Sequence, residues 1–521
     1  MKTISKIILH NFKRFSHLEI DLDPTMNVFV GDNESGKSSI LQAIDLVSRG
    51  SRYKVEEIGF DSLFSAHVIN DFMSGERKVE MLPEMFVELY FPEQNNPFLY
   101  GRNNSKQSDC DGIYMCCKPN IEYSEQIRNV LNNANGLFPF EFYEVVFYTF
   151  AGNPYNGYTK QLHTITIDNT HNNNTSYSMD EYVRAIFHSR LTTEQRVETK
   201  HKYHNHKFEF AKDVLSPFND ENYAFSLKND SDCNLETDIT IIKDGVSVDN
   251  KGTGMQCFIK TELSLSKMGE DIDVVLLEEP ESHLSYTKML KLIEIIRSTA
   301  NRQLFLSTHN DLIASRIDLT KCVLLNSNDE HFVKLNQITD DTAKFFMKAP
   351  DNNLLQFVLA KKVILVEGDA EYILMEALYK NVTNEDLKNS DISVIAVDGK
   401  CFKRYLEIAK VLGIRVAVIT DNDHNYADNI ALGYDGYMNN EFENIRVFAD
   451  ELDDNYTFEV CLYKVNSNIC DELFGGGRRT LTVQQYMLAN KAEVAYKLLT
   501  EKANEIVVPN YIKQAILWVK G

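Results

Sequence analysis

The chain has 521 residues, 43% of them apolar and 25% charged, and a formal net charge of -22 at pH 7. That length exceeds what one core ordinarily supports, so at least two domains are expected. The acidic balance argues against a surface that wraps nucleic acid everywhere, since phosphate binding needs clustered Lys and Arg, yet it leaves room for a local basic groove. Candidates for such a groove are Lys400, Lys403 and Arg404, then Arg478 and Arg479. No apolar run approaches the roughly 18–20 residues of a membrane span, and the N-terminus has no leader-like apolar stretch. Nine cysteines without CxxC spacing suggest reduced thiols. A cytoplasmic protein that does not enter a membrane is therefore expected.

In chain order, apolar patterning predicts short strands at 3–9, 17–22 and 27–30, then a glycine-bounded loop and a helix over 37–47. Strands are expected at 84–91, 140–150 and 162–168, with 92–112 a polar excursion. Residues 179–217 read as polar helix between Asn-rich and Asp-rich loops, an insertion that needs a partner to cover it. Strands at 237–243, 272–277 and 303–307 follow, separated by helices at 254–267 and 284–299. From residue 350 a second unit begins: strand 362–367, helix 369–380, strand 392–397, helix 401–412 and strand 415–420. Alternating strands and helices imply a small parallel sheet, whose ligand site lies beyond the carboxyl ends of its strands.

Gly31–Ser38 reads GDNESGKS, which satisfies GxxxxGK[ST] and sits between a strand and a helix, where a phosphate-binding loop must be. Gly31 and Gly36 permit the tight backbone, Lys37 reaches the terminal phosphates, and Ser38 can bind Mg²⁺; Asn33 and Ser39 complete the nucleotide-binding set. Later, DVVLLEEPESHL ends a strand on Glu278 and Glu279, one suited to the Mg²⁺ shell and the next to polarising water for attack on the terminal phosphate. KGTGMQ, with Gly252, Gly254 and Gln256, resembles the signature motif of ABC-type ATPases, and LFLSTHN resembles the strand that delivers their switch histidine, here His309. With NFKRF near the start, residues 1 to about 345 resemble the recombination and chromosome-maintenance ATPases, the group of RecF and the SMC proteins. The resemblance implies ATP with one Mg²⁺. It also implies at least a homodimer, because one P-loop and one signature face each other across an interface in that architecture.

In the second unit, VILVEGDAEYIL ends a strand on Glu367 and places Glu371 one turn into the next helix, while VAVITDNDHN ends another on Asp421 and Asp423. Alternation in an extended chain would point those two aspartates the same way. Four acids at one sheet edge repel unless a divalent metal neutralises them. EG on the first strand and DxD on the third resemble the Toprim domain, and an EGxxE motif behind an ABC ATPase resembles the OLD (overcoming lysogenization defect) family of nucleases, which includes the Gabija nuclease subunit. That resemblance covers nearly the whole chain, most weakly from about 92 to 235. It implies an α/β fold: an ABC/SMC-like ATPase in two parts, 1–175 and 223–345, a helical dimerisation insertion at 176–222, and a Toprim nuclease domain at 350–521. It implies two Mg²⁺ or Mn²⁺ ions on Glu367, Glu371, Asp421, Asp423 and Glu459, with Lys491 offsetting transition-state charge at a DNA phosphodiester. It further implies antiphage defence, alone or beside a helicase or a retron reverse transcriptase with its DNA. A rival reading is an ATP-dependent DNA sensor with an inactive Toprim site. HKYHNH (201–206) is read as solvated histidines rather than a metal site.

Overall fold

The computed structural model describes residues 2–132, 136–168, 183–184, 186–187, 190–218, 225–228, 235–266, 272–299, 302–325, 332–348, 353–397, 401–438, 442–476 and 481–521. Within the polar insertion, residues 176–182, 185, 188–189 and 219–222 lie outside the described residues, as do the groove candidates Lys400, Arg478 and Arg479. The chain forms two compact units, residues 1–309 with 325–332, and residues 310–324 with 333–521.

The first unit begins with β1 (Lys6–Phe12), β2 (Phe15–Asp21) and β3 (Met26–Gly31), then α1 (Lys37–Arg49), β4 (Met85–Tyr90), β5 (Cys110–Pro119), β6 (Tyr143–Thr149) and β7 (Thr164–Asp168). Next come α2 (Thr193–Phe210), α3 (Thr253–Ser266), β8 (Val274–Glu278), α4 (Tyr286–Ser298) and β9 (Gln303–Thr308). Strands β2, β1, β4, β5 and β6 pair antiparallel in that order. Strands β3, β9, β8 and β7 pair in parallel, Glu278 standing beside Ser307 on one side and Asp168 on the other. Their interior positions, Val28, Phe29, Leu276 and Phe305 among them, are fully buried, as a parallel sheet covered on both faces requires.

Two sequence expectations differ here. Residues 237–243 are not a strand: Leu235–Asp238 is helical, and only Ile242–Lys243 pairs, with Val246–Ser247. None of the apolar positions there is buried, Ile242 being 67% exposed and Ile239 and Ile241 intermediate, so alternation has no core to answer to. Strand β5 begins inside the stretch read as a polar excursion, because Cys110–Pro119 is paired on both edges within the antiparallel sheet. Helix α2 begins at a capping box between Thr192 and Gln195 and buries none of its residues.

The second unit contains β10 (Lys362–Val366), α5 (Asp369–Thr383), β11 (Ile392–Ala396), α6 (Phe402–Leu412), β12 (Arg415–Ile419), β13 (Ile445–Phe448), α7 (Phe458–Val465), α8 (Lys491–Lys502) and α9 (Asn510–Lys520). The four strands are parallel in the order β11-β10-β12-β13. The strand order reverses between β10 and β12, so a crevice opens beyond their carboxyl ends, which is where open α/β sheets take ligands. Ile364, Val366, Ala417 and Ile419 pack with Leu374, Phe458, Leu498 and Ile516 in one core that seats α5, α7, α8 and α9.

Candidate functional sites

The nucleotide-binding residues are set by the end of β3 and the start of α1. Gly36 caps the helix at φ 94°, in the left-handed region that favours glycine, and a Cβ there would lie 2.4 Å from the Phe15 ring. Lys37 folds back into the loop, its Nζ donating to the carbonyls of Gly31 at 2.8 Å and Asp32 at 2.7 Å. Burial lowers its pKa, an effect opposed by Glu279, Asp32, Glu281 and Glu278. A cavity of about 460 Å³ is lined by Asn33, Gly36, Lys37, Ser38, Ser39, Glu278 and Glu279, together with Lys13, Arg14 and Glu34. Lys13 and Arg14, from the NFKRF motif, are two lining residues that the sequence pattern alone does not place there. His309 Nδ1 stands 3.0 Å from Glu279 Oε1, so the residues from two different strands meet at one carboxylate. Gly252, Gly254 and Gln256 do not line this cavity. Gln256 Nε2 instead donates to the carbonyls of Asp249 at 3.1 Å and Lys251 at 2.9 Å, closing its own loop, while Gly254 packs so closely that a Cβ would lie 2.1 Å from the His283 carbonyl.

In the second unit Glu367 follows β10 directly, Glu371 lies in the first turn of α5, Asp421 follows β12, Glu459 lies in the first turn of α7 and Lys491 opens α8. A cavity of about 350 Å³ is lined by Glu367, Gly368, Asp369, Glu371, Asp421 and Lys491. Asp421 Oδ1 accepts from the Phe458 N–H at 2.8 Å, so the acid at the end of β12 caps the helix that carries Glu459. That bond favours the carboxylate, yet burial outweighs it: burial, then the charges of Glu367, Glu371 and Glu459, push Asp421 up to about 8. Burial and the charges of Glu459 and Glu367 push Glu371 up to about 7. Glu459 is 2% exposed; Lys491 Nζ pairs with its Oε2 at 3.1 Å, and its Oε1 is buried without a hydrogen-bond partner. Burial would lower the Lys491 pKa, but Glu459, Asp421 and Glu371 together leave it raised.

Asp423 stands elsewhere. Strand β12 ends at Ile419, and Asp423 takes φ 48°, so strand alternation no longer governs which way it points. It is exposed and does not line the cavity. Among the described residues, no three His, Cys, Asp or Glu side chains lie close enough to enclose a metal ion as they stand. The donor chemistry nonetheless fits a cation: hard oxygen ligands, two of them with pKa raised by burial and by their acidic neighbours, and a buried Glu459 whose Oε1 has no hydrogen bond.

A P-loop centre and a carboxylate centre at a parallel-sheet edge, in one chain, define a fused ATPase and TOPRIM protein. Residues 1–209 match the AAA ATPase domain model, and residues 243–315 match the model described as AAA domain, putative AbiEii toxin, Type IV TA system. Residues 358–423 match the TOPRIM domain of overcoming lysogenization defect protein-like sequences. The chain thus joins stretches that match ATPase domain models to a stretch that matches an OLD-like TOPRIM domain. The chain is similar to the Old nuclease of Escherichia phage P2, 24% identical over 185 residues, which cover 33% of this chain and 31% of that protein. The chain therefore spans about a third of that curated relative. It is also similar to the C-terminal region of the Xanthomonas campestris pv. campestris OLD protein, at 21% identity over 31% of this chain and 92% of that one, with a TM-score of 0.22. The SMC head domain from Thermotoga maritima aligns at 16% identity over 62% of this chain and 94% of that one, with a TM-score of 0.29.

Proposed function

We propose that this chain is an ATP-binding, divalent-metal-dependent DNA endonuclease in which the ATPase part regulates the TOPRIM nuclease. The observation that carries the reading is the group of carboxylates Glu367, Glu371, Asp421 and Glu459, the second and last of them buried, with Lys491 against it, at the strand ends of a parallel sheet. Those carboxylates would hold Mg²⁺ or Mn²⁺, two ions in all, with Asp423 as a ligand only after its turn rearranges. Bound there, the metal would activate water and stabilise the leaving oxygen at a phosphodiester. Lys491 would offset the charge that builds on the phosphate, and the protons on Asp421 and Glu371 must leave before they can act as ligands.

At the other centre Lys37 would turn from the carbonyls it now meets to the terminal phosphates, and Ser38 and Glu278 would complete the Mg²⁺ shell. Glu279 would take a proton from the attacking water, held in place by His309. Gly252, Gly254 and Gln256 lie away from this chain's own P-loop cavity, which supports a homodimer or higher oligomer in which a second copy presents them. Residues 1–175 and 223–345 would then form the ATPase, 176–222 the dimerisation insertion and 350–521 the nuclease. The OLD-like composition extends the proposal to antiphage defence in the cytoplasm, alone or with a helicase or a retron reverse transcriptase and its DNA.

Plasmid cleavage titrated with ATP and with a nonhydrolysable analogue, in Mg²⁺ or Mn²⁺, tests the reading. Metal-dependent nicking whose rate changes with nucleotide supports it. No cleavage in either metal at any nucleotide concentration would contradict the nuclease assignment.

A further inference from the structure

The turn after β8 is fastened to the end of β9 at three points. The Glu279 N–H donates to the Ser307 carbonyl at 3.0 Å, the Thr308 hydroxyl donates to Glu281 Oε1, and His309 Nδ1 lies 3.0 Å from Glu279 Oε1. Glu279 holds φ 41°, a left-handed conformation that a non-glycine residue adopts at a cost, so its surroundings must impose it. Glu281 and Thr308 are 7% and 0% exposed, and Glu281 Oε2 is buried without a hydrogen-bond partner. Burying a carboxyl group with an unsatisfied oxygen is costly, and an apolar side chain at 281 would avoid that cost. What the carboxyl group supplies in exchange is an acceptor for Thr308, the residue immediately before His309.

We propose that Glu281 is a positioning residue for ATP hydrolysis: through Thr308 it fixes the end of β9 so that His309 stays against the Glu279 carboxylate. This rests on the reading of Gly31–Ser38 and Glu278–Glu279 as an ATP-hydrolysing centre. Glu281 does not line the nucleotide cavity, so its effect passes through Thr308 and His309 rather than through contact with nucleotide. Loss of the acceptor removes the tie between the turn and Thr308 and lets the strand end shift, which misplaces the histidine without removing a nucleotide contact.

The test is steady-state ATP hydrolysis by the full chain, with nucleotide affinity measured separately by a fluorescent ADP analogue. Glu281→Ala and Thr308→Val should each lower kcat at least tenfold while KM and the ADP Kd stay within threefold. Thr308→Ser, which keeps the hydroxyl, should return kcat to within threefold of wild type. The double variant should fall no further than the slower single one, since both changes delete one interaction. Should Glu281→Ala fail to fold, Thr308→Val against Thr308→Ser decides. Wild-type kcat in Thr308→Val, or equal loss in Thr308→Ser, overturns the proposal. If Lys37→Ala hydrolyses ATP as fast as wild type, the ATPase reading itself fails; Lys37-dependent hydrolysis with unchanged Glu281→Ala and Thr308→Val rates overturns the positioning role alone.

Discussion

Metal binding at the carboxylate cluster should expel protons, and the count follows from the site. With Asp421 pushed up to about 8 and Glu371 to about 7, the metal-free chain at pH 7 carries about 0.9 and about 0.5 proton on the two groups. A divalent ion needs both as carboxylates, so binding should release about 1.4 protons at pH 7 and only about 0.1 at pH 9. The groups share their repulsion, so the count belongs to the cluster jointly. Asp421→Asn should remove the larger part, leaving roughly 0.5 at pH 7, while its amide oxygen can still accept from the Phe458 N–H. The assay is titration calorimetry with Mn²⁺, nucleotide omitted, in two buffers of different ionisation enthalpy; the difference in heat gives the protons released. Release below roughly 0.3 proton at pH 7, or a count that does not change between pH 7 and pH 9, would refute the linkage between these acids and the metal.

The same shifts make the metal-free chain sensitive to base. Both carboxyl groups hold their protons more tightly folded than at their ordinary values of 3.8 and 4.5, so the stability they contribute is greatest at low pH and is lost as pH rises through about 7 and about 8. In EDTA the urea midpoint should therefore fall between pH 6 and pH 8.5; a flat or rising midpoint counts against it. Lys37→Ala should weaken ATP binding at least tenfold by equilibrium dialysis, and unchanged affinity would mean that the loop does not hold phosphate. Glu279→Gln should bind ATP within threefold of wild type yet hydrolyse it at least a hundredfold more slowly in single turnover. Hydrolysis at the wild-type rate would remove Glu279 from the chemistry.

What could be read from the sequence was what local structure determines. Gly31–Ser38 announces itself because strand, glycine turn and helix are consecutive, and the cavity around Lys37 assembles from that stretch with Glu278 and Glu279. Glu367 and Asp421 were legible for a similar reason, as acids that end apolar runs in a strand-helix alternation. Asp423 departs from strand alternation because the strand stops at Ile419 and its own backbone is left-handed. Glu459 and Lys491 came from family resemblance alone: no local pattern reveals that Phe458 is capped by Asp421, 37 positions earlier. Glu281 passed unnoticed because its meaning lies in Thr308, 27 positions away on a neighbouring strand. Its local signal was slight, an acid within a turn already rich in acids.

Cleavage of DNA by the carboxylate cluster is the central claim to test. Supercoiled plasmid incubated with the full chain in Mn²⁺ or Mg²⁺ should be nicked by wild type, spared in EDTA, and cut at least a hundredfold more slowly by Asp421→Asn and by Glu371→Gln, each folded to a wild-type circular dichroism spectrum. Cleavage by Asp421→Asn at the wild-type rate would contradict the assignment of the nuclease to this site.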